Sequence, residues 1–131
     1  MAGLFCSNGE QVALGTLLNK TTPVNAVLRL YQNNKTPAYA DTVAGYTEAT
    51  FTGYAAATLT GASWTISGTN PASATYAQQS FASTANQSSQ TIYGYYLTVS
   101  GNLIAAELFA SPVTIQYNGD TINVTPTINA T

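Results

Sequence analysis

Two spacings of apolar residues divide this chain. Leu14, Leu17 and Leu18 recur at the three-to-four-residue spacing of one helix face. Ahead of them Ser7-Asn8-Gly9-Glu10 reads as a capping box, with Ser7 as N-cap and Glu10 reaching back to its amide. Asn19 and Pro23 then stop the helix. So short a helix is unstable alone, so its leucines must dock on something. From Val24 the period becomes two: Val24, Ala26, Leu28 and Leu30 alternate with Asn25, Val27, Arg29 and Tyr31, the pattern of a half-buried strand. Turn chemistry at 33–37 and a loop from Asp41 to Tyr46 follow. Short strands are expected over 47–52 and 54–60, divided by Gly53. Trp64 and Ile66 anchor a further apolar point before a turn at 67–71, a polar strand over 72–81 and a loop over 82–90.

The last third carries two hairpin signals. Gly101-Asn102 at the centre of a type II′ turn sets Val99 against Ile104, Leu97 against Ala106 and Tyr95 against Leu108. Asn118-Gly119 as a type I′ turn sets Ile115 against Ile122 and Val113 against Val124. Many short strands between turn signals predict an all-β fold, a β-sandwich or jelly roll with a short N-terminal helix. The division expected is an arm and helix over 1–22 and a sandwich domain over 23–131.

Composition changes the picture in one respect. Of 131 residues 45% are hydrophobic, which is ordinary, but only 6% are charged, where about 25% is usual. With a net charge of −2 there is little repulsion between copies, which suits a protein that works packed against copies or partners. A single cysteine, Cys6, excludes an internal disulfide framework, and the N-terminus lacks the basic start and apolar run of a signal peptide. No stretch is apolar enough to cross a bilayer, so synthesis in the cytoplasm, no membrane partner and no cofactor are expected.

The candidate chemistry is sparse. The absence of histidine removes Ser-His-Asp and Cys-His systems and the usual zinc sites, and Cys6 has no base to activate it. Five carboxylates remain: Glu10, Asp41, Glu48, Glu107 and Asp120. A glycan hydrolase using Glu48 and Glu107 would need them facing one another across a cleft. The simpler account pairs Glu107, placed beside Tyr96 on the polar face of its strand, with Arg29 or a tyrosine hydroxyl. The segment from Asp41 to Glu48 is a faint calcium-loop pattern. Lys20, Arg29 and Lys35 are too few for a nucleic-acid footprint. Trp64, Tyr93 and Tyr95 are read as core, although aromatic faces also stack on sugars. No catalytic, cofactor or metal residues are therefore expected. Leu4 and Phe5 are apolar residues on an N-terminal arm, which either contacts a neighbouring subunit or folds back on its own core.

The runs LRLYQNNKTP, TEATFTGYAAATLTGASW and YGYYLT-x-x-GNLIAAELFASPVTIQYNGDTINVTP, spanning Leu28 to Pro126, resemble a family of small proteins encoded among tailed-phage structural genes. The resemblance implies a non-enzymatic virion component, a head decoration or cement protein on the capsid surface. Its implied partner is the major capsid protein, and its implied state is a homotrimer or another homo-oligomer. The alternative is a tail- or fibre-associated adhesin that binds host glycans.

Overall fold

The alternation around Leu28 is the part of the pattern that builds the molecule. In the computed structural model, which describes residues 3–130, strand β2 (Ala26–Tyr31) buries Ala26, Leu28 and Leu30 on one face. It lies inside an antiparallel five-stranded sheet. One neighbour is β3 (Ala57–Leu59); the other is β7 (Gln90–Val99), which pairs in turn with β8 (Asn102–Ile115) and then β1 (Leu4–Phe5) at the edge. Strands β4 (Thr65–Ser67), β5 (Ser73–Thr75) and β10 (Thr127–Asn129) form a three-stranded sheet, and β6 (Gln79–Ala82) pairs with β9 (Thr121–Val124). The fold is all-β with one short helix, α1 (Ser7–Leu17).

The large sheet is covered on both faces. On one, Leu28, Leu30, Ile92, Tyr95, Leu97 and Ile115 pack against Phe81, Ile122 and Val124 of the β6–β9 pair. On the other, Tyr31, Tyr96, Leu103 and Ala106 are closed over by Cys6 and Tyr46. Tyr46 stacks on Tyr96 with centroids 5.3 Å apart, and Tyr31 meets Tyr46 edge-on at 5.0 Å. Gly94, opposite Tyr31, is required here: a Cβ would stand 2.5 Å from the Tyr31 hydroxyl and 2.1 Å from the Glu107 carbonyl.

Several expectations change. Helix α1 has no capping box: Cys6 is the N-cap, with no side-chain cap bond. The entry is set instead by Cys6 N–H donating to the Ile104 carbonyl and Ser7 N–H to that of Tyr39. At the other end Asn19 takes φ +58°, with Asn19 N–H donating to Thr16 O and Lys20 N–H to Gly15 O, a Schellman closure. The helix leans on the sheet through Gly9, whose buried Cα admits the Ile104 carbonyl. Its leucines do not dock, and Val24 lies outside β2 and is exposed.

The β7–β8 turn is centred one residue earlier than expected. Ser100 (φ +50°) and Gly101 (φ +78°) both adopt the left-handed region of a type I′ turn, which suits the strand twist. A bulge at Leu97/Thr98 follows, so Leu97 faces Ala105 and Tyr95 faces Glu107. An offset of one residue exchanges faces. At Asn118-Gly119 the turn is present, closed by Asp120 N–H to Tyr117 O, but only Gly119 of the central pair has a positive φ, so it is not type I′. The strands it joins do not pair as a hairpin. Residues 121–124 cross to β6, setting Phe81 against Ile122.

The stretch 47–52 alternates as a strand does, burying Ala49 and Phe51, yet it has no continuous ladder. Ala49 N–H donates to the Leu30 carbonyl, but three other N–H groups go to side chains: Thr47 to Asn33 Oδ1, Thr50 to Gln90 Oε1 and Thr52 to Gln87 Oε1. The expected strand over 72–81 is likewise divided, into β5 and β6.

Candidate interaction surface

Carboxylates in this chain hold the fold, each in its own place. Glu48 takes both oxygens to Arg29 Nη1, at 3.0 and 2.9 Å, and accepts the Tyr54 hydroxyl at 2.9 Å. That hydroxyl in turn accepts the Leu30 N–H. Glu107 accepts the Tyr95 hydroxyl at 2.7 Å, and the same oxygen of Tyr95 accepts Thr127 N–H, tying β10 to the main sheet. Glu48 and Glu107 lie on opposite faces of that sheet, because Arg29 pairs with Tyr96 while Glu107 pairs with the adjacent Tyr95. They do not face one another across a cleft. Of the two partners expected for Glu107, the tyrosine hydroxyl is the one present.

Asp41 is the hub of the loop that covers the tyrosine face. It meets Lys35 Nζ at 2.9 Å and accepts the Tyr46 hydroxyl and the Ala38 N–H at 2.8 Å each. Burial pulls its pKa upward, but the Ala38 N–H, Lys35 and Tyr46 outweigh that and hold the carboxyl below its ordinary value. Asp120 accepts the Gln116 and Tyr117 N–H groups, and those bonds lower its pKa. Among the described residues no three His, Cys, Asp or Glu side chains come together. Burial, then the nearby Asp41 charge, pushes the Cys6 thiol up to about 11, far from a reactive thiolate.

The outer surface is where the unusual chemistry lies. Leu14, Leu17 and Leu18 are 56%, 78% and 72% exposed. Beside them an open groove of about 1080 Å³ runs between α1 and the strand-end residues Val24, Trp64, Ile66 and Val99. Ile66, 70% exposed, also lines a shallower hollow with Phe5, Ala74 and Ile128 on the three-stranded sheet. Trp64 is half-buried against Tyr76, and Tyr95 is buried, in keeping with their reading as packing residues, while Tyr93 is half-buried beside the tyrosine group.

The arm residues Leu4 and Phe5 form β1, pairing with Ala106 and Ala105. Leu4 is 39% exposed and lines a hollow with Pro37, Leu108 and Phe109. The leucines of α1 and Ile66 were legible as apolar positions but not as surface; Lys20, placed just beyond them, carries no pattern of its own. No helix among the described residues is long and apolar enough to cross a membrane. No family model, curated protein or solved structure matches this chain.

Proposed function

We propose that this chain is a non-enzymatic structural subunit of a virus particle, a decoration or cement protein that binds the major capsid protein on the outside of a phage head. The observation that carries the reading is the row of exposed leucines on α1, set on a surface with very few charges. Exposed apolar rows of this kind gain free energy by excluding water against another protein surface. A lattice also multiplies weak contacts, since each attached copy holds its neighbours near their own sites.

The hydrogen bonding between distant segments supports a load-carrying role. Uncharged amides from distant segments pin the long connections, as Gln87, Gln90 and Asn33 do for 47–52 and Asn86 Oδ1 does for the Asn118 N–H. The polar groups a hydrolase would use are engaged in fixing loops and strand edges. Tyr39 and Tyr117, the exposed tyrosines, stand on different loops and offer no shared platform for a sugar, so the adhesin reading gains nothing from them.

Mass spectrometry on gradient-purified particles from the source culture tests the proposal. Copy numbers comparable to the major shell protein are expected. A few copies per particle would move the protein to the tail or a vertex, and absence from particles would overturn the reading.

A further inference from the structure

We propose that the outer face of α1 is a twofold contact between two copies of this chain, with the two helices antiparallel. This contact draws on the same leucine row as the virion reading but assigns that row to a second copy, and a row occupied by a capsid instead is a separate outcome of the test below.

The face is self-complementary in charge. Glu10, Leu14, Leu17 and Leu18 fall at i, i+4, i+7 and i+8, one stripe on the side of α1 away from buried Gly9. The chain has eight charged side chains, and most are spent internally. Arg29 is paired with Glu48, Lys35 with Asp41, and Asp120 with two backbone N–H groups. Lys20 has no ion pair among the described residues and stands just past the carboxyl end of the stripe. Glu10 stands at its amino end, and among the described residues its carboxylate is bonded only by the exposed Tyr39 hydroxyl.

Antiparallel pairing uses all of this at once. Setting Leu14 against Leu17 of the partner subunit lays the carboxyl end of each helix, with Lys20 just beyond its closing turn, beside the amino-terminal turn of the other, which carries Glu10. The cation of each copy then meets the anion of the other at both ends of a leucine centre, and opposed helix dipoles add to the attraction. A stripe that complements itself closes as an isologous dimer. A trimer would need a second, different patch.

Sedimentation equilibrium over a range of concentrations should show a reversible species of twice 13.7 kDa. Leu17→Glu should raise the dimer Kd by roughly tenfold or more, with the thermal midpoint of the monomer unchanged. Lys20→Glu should weaken the dimer and Glu10→Lys in the same chain should restore it, which a merely structural role for either residue would not produce. As a check independent of those variants, Leu14→Cys chains mixed with Leu17→Cys chains under mild oxidant should form the 14–17 disulfide in preference to 14–14 or 17–17. A chain that stays monomeric at every concentration overturns the proposal. So does a trimer, a dimer indifferent to Leu17→Glu, or a monomer that uses Leu17 only to bind capsid shells or phosphatidylcholine vesicles.

Discussion

Strand β2 and helix α1 carry equally regular apolar rows and put them to opposite uses. In β2 the row is Ala26, Leu28 and Leu30, closed off by the β6–β9 pair on the far side of the core. In α1 the row is Leu14, Leu17 and Leu18, and no part of the described chain covers it. The helix holds to the sheet by different residues, Gly9, whose missing side chain lets the helix close on Ile104, and Val12, which packs on the core. Periodicity therefore identifies which side of an element is apolar, and says nothing of whether the cover comes from the same chain.

The strongest way to break the comparison is to remove equal volume from each row. Leu28 is fully buried, so Leu28→Ala should lower the unfolding free energy by about 2–5 kcal/mol in urea denaturation. A loss below about 1 kcal/mol would mean that the β2 row is less tightly packed than its burial indicates.

Next in size is the seat of the helix. A Cβ on Gly9 would lie 2.4 Å from the Ile104 carbonyl, a backbone atom that cannot swing aside. Gly9→Ala should cost about 1–3 kcal/mol, although the same change in an exposed helix would gain roughly 1 kcal/mol. Hydrogen exchange would localise the loss: faster exchange in α1 with β7 and β8 still protected is expected, and uniform acceleration would show that the seat holds the whole sheet.

A smaller effect sharpens the contrast from the tyrosine face, where polar groups take the part leucines play in the core. The Asp41 carboxyl is held below its ordinary value, so its contribution is present above the unfolded pKa of about 3.9 and disappears as pH falls through the lower folded value. Urea midpoints measured from pH 6 down to pH 2 should fall less steeply in Asp41→Asn than in the parent. Parallel curves would show that Lys35 and Tyr46 do not favour the ionised form.

How much of this was written in the sequence follows from the same contrast. Local rules sufficed where the deciding contacts are local, as with the position of α1, its stop near Asn19 and the alternation of β2. They failed where a distant residue decides. The segment 47–52 looks like a strand, but it touches β2 only through a single bridge, and three of its N–H groups are claimed by the side chains of Asn33, Gln87 and Gln90. The β7–β8 register turned on two features together: Ser100 takes a left-handed φ, which serine seldom adopts and which moves the pairing by two residues, and the bulge at Leu97/Thr98 returns one, so Glu107 faces Tyr95 and not Tyr96. The Arg29–Glu48 pair was open to discovery, because in a chain with three cations each partly buried one must find an anion. The exposed leucines were not, since the pattern of an uncovered stripe and a covered one is the same.

The smallest expected change in stability belongs to the stripe itself. Leu17→Ala removes an apolar side chain that is 78% in contact with water, leaving no cavity and breaking no hydrogen bond. Measured on the dissociated chain, its unfolding free energy should stay within about 0.5 kcal/mol of the parent, against the loss of several for Leu28→Ala. The two leucines differ in cover, not in kind, so the ratio of the two effects measures that difference directly. If Leu17→Ala instead cost as much as a core leucine, the helix face would have to be buried within the isolated chain, and both the contact between copies and the contrast with β2 would fall together.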